Sequence, residues 1–184
     1  LLSTWLADGT LLREEAPAVY LTATEFDTAG GVLTRWGLMA SVRLEPFDHG
    51  GILPHERTYS KVKSERLSLM RACPANLSPI FAFFSDDRST MPHLISHVAH
   101  KPPVVAFQDS HGHRQRMWTI TDPNLHGLIA ANLKQQTLFI ADGHHRYETA
   151  LAYRDENSYI KELSLRHVQQ NVQVDAICWI GPDG

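Results

Sequence analysis

The chain has 184 residues, enough for one domain with one core, and its 43% hydrophobic and 20% charged residues match an ordinary globular protein. A formal net charge of −3 supplies no cationic field for a nucleic-acid backbone, so nucleic-acid binding is not expected. Two cysteines, Cys73 and Cys178, make no disulfide framework and no paired zinc spacing, and no apolar run or signal peptide points to a membrane, so a reducing cytoplasm is the expected location.

Leu2, Trp5 and Leu6 recur at helical spacing, and Asp8-Gly9 stops that first short helix. The β-branched and aromatic run Val19 to Phe26 and the segment from Val32 to Glu45 flank Gly30-Gly31, which predicts a hairpin. EPFDHGGILPHERTY, from Glu45 to Tyr59, is too rich in proline and glycine for long regular structure and reads as a loop of functional interest. From Ser60 to Cys73, Val62, Leu67, Leu69 and Met70 alternate with charged residues in the pattern of an amphipathic helix.

Pro79 to Phe84 follows as a buried strand, and Met91 to Ala99 as a short helix. Val104–Gln108 and Gln115–Ile120 flank a polar turn, a second hairpin. Asp122-Pro123 opens a helix through Leu133, Gln136–Ile140 forms a strand, His145–Arg154 a helix, and VDAICWI a last strand. These elements describe an α+β protein with a mixed sheet. The chain begins inside a helix and stops after a strand and turn, so residues 1–184 are expected to be one domain within a longer chain.

The chemistry concentrates in ADGHHRYETA, from Ala141 to Ala150. A strand running through Asp142-Gly143 into a helix points free backbone N–H groups and the positive end of a helix dipole at one spot, which suits an anion. Gly143 leaves room for a phosphate, Arg146 offers a charge-assisted fork, and His144 and His145 offer further donors. Asp142 is a candidate helix cap or ligand to a metal ion accompanying phosphates. The plainer alternative is an Asp-capped helix with two surface histidines. His93, His97 and His100 fall on one helical face and read as an exposed face more readily than as a metal site. His111 and His113 read as surface residues, and Trp5, Trp36, Trp118 and Trp179 as core.

FIADGHHRYETALAY, together with LREEAPAVYLTATEF, RWGLMASVRLE and ILPHERTYSKVKSERLSLMRACPANLSPIF upstream, resembles the bacterial and archaeal family named domain of unknown function 1015. The likeness runs from Trp5 to about Tyr153. A more distant resemblance is to the ParB/sulfiredoxin-like superfamily and its free-serine kinases. There, Pro-His-Glu precedes a helix with an Arg, a Pro-Ile strand and a strand ending in Asp-Gly-His-x-Arg. Pro54-His55-Glu56, Arg66, Pro79-Ile80 and Asp142 to Arg146 keep that order.

That resemblance implies a ParB/sulfiredoxin-like core in which residues 85–134 are an insertion carrying an extra helix and hairpin. It implies that Gly143, His144, His145 and Arg146, with Lys63 and Arg66, contact the phosphates of ATP or ADP. It also implies that Glu56 and His55 are the catalytic residues, Glu56 being the carboxylate that activates a substrate hydroxyl, with Mg²⁺ as accompanying metal. The expected function is therefore phosphate transfer from a nucleotide to a small hydroxyl substrate such as an amino acid. The alternatives are a nucleotide-responsive switch module that activates no hydroxyl and, less favoured by the charge, a DNA-partition-like protein.

Overall fold

A computed structural model of the chain describes residues 2–73, 75–76, 78–86, 89–163 and 173–178. The elements follow as α1 (Leu2–Ala7), β1 (Val19–Thr28), β2 (Gly31–Arg43), β3 (Ile52–Leu53) and α2 (Ser60–Ala72). Then come β4 (Phe81–Phe83), α3 (Thr90–Val98), β5 (Val105–Gln108), β6 (Arg114–Ile120), α4 (Pro123–Leu133), β7 (Leu138–Asp142), α5 (His144–Leu163) and β8 (Gln173–Cys178). The protein is α+β, but its strands form two sheets rather than one. The larger is antiparallel throughout, in the order β5-β6-β1-β2-β8. The smaller, β3-β7-β4, is mixed, with β3 parallel and β4 antiparallel to β7.

Both expected hairpins form, and they meet: β6 of the second pairs with β1 of the first, Leu21 standing opposite Trp118. The segment 85–134 therefore does not stand apart from the rest. Met91, Leu94 and Val98 of α3, Trp118 and Ile120 of β6 and Ile129 of α4 join one buried cluster with Leu21, Ala23, Leu38, Ile140, Tyr147 and Ala150. Leu21 and Ala23 are the inward positions of a strand whose period of two sends Thr22 and Thr24 to the other face. Asp122 caps α4 by accepting the N–H of Asn124 at 2.8 Å, and Pro123 occupies the first turn, as its fixed φ favours.

Three expectations are corrected. Trp5 is 38% exposed on the short α1, too short to bury a face, whereas Trp118 is buried and Trp36 packs beside it at 5.8 Å; Trp179 lies outside the described residues. Helix α2 forms as expected, but its apolar side is only half-buried: Val62, Leu67 and Met70 are part-covered, Met70 against the core, while Leu69 is 59% exposed. Polar links add to that contact, Arg71 forking onto both carboxylate oxygens of Glu156 at 3.0 and 2.5 Å. Finally, α5 runs on to Leu163, past the expected end at Arg154.

The loop from Glu45 to Tyr59 is tied down at both ends. The Tyr147 hydroxyl donates to the Glu45 carbonyl at 2.7 Å and accepts the Glu45 N–H at 3.0 Å. Burial keeps this phenol above the ordinary tyrosine range, so it stays a donor. Farther on, Leu138 donates its N–H to the Gly51 carbonyl at 2.9 Å and registers β3 against β7. Tyr147→Phe leaves both Glu45 groups unsatisfied; the expected loss is about 1–3 kcal/mol, read as a lower urea midpoint at unchanged slope.

Candidate active site

Because β3 and β7 are parallel, the segments leaving them emerge at the same sheet edge. The first is Pro54 to Tyr59, carrying His55 and Glu56; the second is Gly143 and the start of α5. Gly143 has φ +97°, a left-handed conformation that costs a side-chain-bearing residue. The room a Cβ would need is already taken, since it would sit 2.9 Å from Nη2 and 3.1 Å from Cζ of Arg146. The absent side chain thus seats the arginine rather than leaving an open approach.

Arg146 is anchored by donating to the Pro79 carbonyl at 2.6 Å and to Asp142 Oδ2 at 2.5 Å. Asp142 accepts from that guanidinium, and among the described residues it caps no helix amide. The N–H groups of His144, His145 and Arg146 find no backbone or side-chain acceptor among the described residues, the state of an uncapped helix start. Their partial positive charge adds to the helix dipole.

The two histidines face the incoming loop. His144 is 1% exposed, and its Nε2 accepts the His55 N–H at 3.3 Å, while the His55 ring donates from Nδ1 to the Ile140 carbonyl at 2.7 Å. The two rings meet edge-on, 4.5 Å apart. Glu56 Oε1 lies 3.0 Å from His144 Nδ1, off the axis of an aligned hydrogen bond, so Nδ1 is a buried donor whose near acceptor is a half-exposed carboxylate. His145 Nε2 accepts the Tyr59 N–H at 3.1 Å, and the Tyr59 ring stacks on it at 6.2 Å. Both imidazoles, expected as donors to phosphate, therefore use Nε2 to hold the loop.

One turn farther along α5, Glu148 Oε2 accepts from both Lys63 Nζ and Thr58 Oγ1 at 2.5 Å. Burial acts to raise this carboxyl's pKa, but the two bonds and the Lys63 charge outweigh it and hold it below the usual glutamate range. Sequence reasoning missed Glu148 and Thr58; in sequence, Glu148 is one acid on a helix, and only the α2–α5 packing reveals its partner. Lys63 is thus neutralised in part, whereas Arg66 has no acidic partner among the described residues.

Arg66 and Arg146 instead line a cleft of about 140 Å³ between α2 and α5, with Leu69, Met70 and Cys73 on its apolar side and Asn76, Ser78 and Thr149 as polar lining. Glu56, His55, Gly143 and His144 do not line it. The structure therefore brings the expected residues together in two groups joined through α5: His55, Glu56 and His144 at the loop, and Arg66 with Arg146 at the cleft. Among the described residues, no three His, Cys, Asp or Glu side chains gather as a metal site would require, which includes His93, His97 and His100. Among the described residues, too, no helix is long and apolar enough to cross a membrane.

The family described as "Protein of unknown function (DUF1015)" matches residues 1–173. The chain belongs to that family. No curated protein matches it. No solved structure matches it.

The lowered Glu148 pKa has a sign. A carboxyl whose pKa is depressed by folding contributes stability that is complete above the unfolded pKa and is lost as pH falls through the folded one. Lys63→Met is therefore expected to destabilise at about pH 7 more than at about pH 3, measured by urea unfolding at both values. An equal loss at both would mean that the ion pair contributes nothing.

Proposed function

We propose that this DUF1015 protein binds a nucleotide through its phosphates at the start of α5 and transfers phosphate to a small hydroxyl compound such as an amino acid. One observation carries the reading: a carboxylate, Glu56, held against the first residue of a helix whose leading amides are unbonded. Those amides and the dipole favour phosphate oxygens, and Arg66 adds a cation without an acidic partner among the described residues. The cleft's apolar side suits a base or sugar, with the phosphates directed toward the helix start. Glu56 would take the proton of the attacking hydroxyl, so catalysis rests on positioning and charge neutralisation.

The order of Pro54-His55-Glu56, Arg66, Pro79-Ile80 and Asp142 to Arg146 supports the same reading through its likeness to ParB/sulfiredoxin-like proteins. The residues fit phosphate better than they fit a protein-held metal. Asp142 is bonded to Arg146, and among the described residues it belongs to no group of three His, Cys, Asp or Glu side chains. Mg²⁺ would enter on ATP or ADP, keeping most of its other ligands as phosphate and water. A switch module would use the same phosphate site and leave Glu56 idle.

Calorimetry with ATP or ADP and Mg²⁺, paired with phosphorus NMR over a panel of hydroxyl compounds beginning with serine, tests the proposal. Arg66→Ala is expected to weaken nucleotide binding by about 1.5–3 kcal/mol while changing stability by less than about 0.5 kcal/mol. Glu56→Gln should keep binding and lower transfer about a hundredfold or more. Binding without transfer to any acceptor favours the switch module, and absence of nucleotide binding overturns both.

A further inference from the structure

We infer that His144 is a positioning residue for the Glu56 carboxylate and not a donor to phosphate; the catalytic consequence rests on the function proposed above, while the hydrogen-bond assignment stands without it. A neutral imidazole has one donor and one acceptor nitrogen. The His55 backbone N–H can only donate, and it points at His144 Nε2 from 3.3 Å, so that nitrogen is the acceptor. The proton then sits on Nδ1. Oε1 of Glu56 is 3.0 Å away, off the axis of an aligned bond, and Nδ1 has no aligned hydrogen-bond partner among the described residues, so this carboxylate is the acceptor nearest to a buried, unmet donor.

The arrangement reaches back into the core. A carbonyl can only accept, so His55 Nδ1 carries a proton and donates it to Ile140, itself 1% exposed. This bond holds the His55 ring edge-on to His144 and steadies the backbone that fixes the His144 tautomer. The series therefore runs from Ile140 in β7 through His55 to His144, and from Nδ1–H to Glu56. A ligand cannot use either nitrogen of His144. Nε2 is occupied, Nδ1 faces the carboxylate, and 1% exposure leaves no surface for a phosphate oxygen to reach.

Glu56 needs such a partner. Its side chain is 53% exposed and would otherwise sample several rotamers, only some of which direct an oxygen at an acceptor hydroxyl. A buried N–H on one side selects among them, because swinging the carboxylate away leaves that donor unmet. His145 differs: Nε2 is taken by Tyr59, but the ring is only part-buried. A phosphate-donor role, if either histidine has one, belongs to His145.

Two substitutions separate this role from simple loop holding. His144→Asn places an amide where Nδ1 stands, keeping a donor for Glu56 and losing the His55 bond; His144→Gln does the opposite. Positioning predicts that kcat falls about a hundredfold in His144→Gln and less in His144→Asn, with nucleotide affinity retained in both. Side-chain couplings of Glu56 should show one χ1 rotamer in wild type and His144→Asn and averaging in His144→Gln. Loop holding alone predicts the reverse order, and that result overturns the inference. Nitrogen-15 shifts of the wild-type imidazole decide it should neither variant fold: Nδ1 protonated and Nε2 bare sustains the assignment, and a protonated Nε2 refutes it. If the wild type transfers phosphate to nothing, the proposed function fails, while the couplings and nitrogen shifts still judge His144.

Discussion

Parallel pairing of Ile52–Leu53 with Leu138–Phe139 makes two distant segments leave the smaller sheet in the same direction. Had β3 run antiparallel to β7, Pro54 to Tyr59 would have left at the opposite end, away from the start of α5. The pairing is only two residues long and needs help. Tyr147 holds the loop's beginning at Glu45, Gly51 accepts from Leu138, and His144 and His145 take the N–H groups of His55 and Tyr59. A loop with two prolines and few ladder bonds thereby acquires a defined path.

The site also divides its charges unevenly. Lys63 is matched by Glu148, Arg146 by Asp142 and Arg71 by Glu156, so these cations cost any anionic ligand a competing carboxylate. Arg66 and the α5 amides carry no such competitor among the described residues. An anionic ligand of the kind proposed would therefore meet least competition where the field is uncompensated. On the proposed reading, this favours the mouth between the cleft and the helix start over Lys63, which the family resemblance had promoted alongside Arg66.

Local signals in the sequence located nearly every element, because each depended on nearby residues: Asp122-Pro123 for α4, the glycines for the β1–β2 turn, and the β-rich run into Gly143 for β7 and α5. Convergence of Glu56 with Asp142 to Arg146 was legible only as motif order. Long-range facts were not legible. Two-residue β3 has no periodicity to detect, and nothing local says that Trp5 or Leu69 stays exposed. The histidines were read as donors because an imidazole's role depends on what approaches it, and here the approaching groups are backbone amides about 90 positions earlier in the chain.

Helix α2 is joined to the body by ion pairs and a thin apolar contact, while α5 is rooted in the core through Tyr147 and Ala150. The two walls of the cleft therefore have different mechanical characters: one rigid, the other fastened by forces that dissolved salt screens. Raising ionic strength weakens the pairs that hold α2, whereas the β7–α5 turn, though it carries the Asp142–Arg146 pair, is also fixed by the buried His144, Tyr147 and Ala150. The medium as well as the sequence therefore bears on how firmly the α2 wall is held.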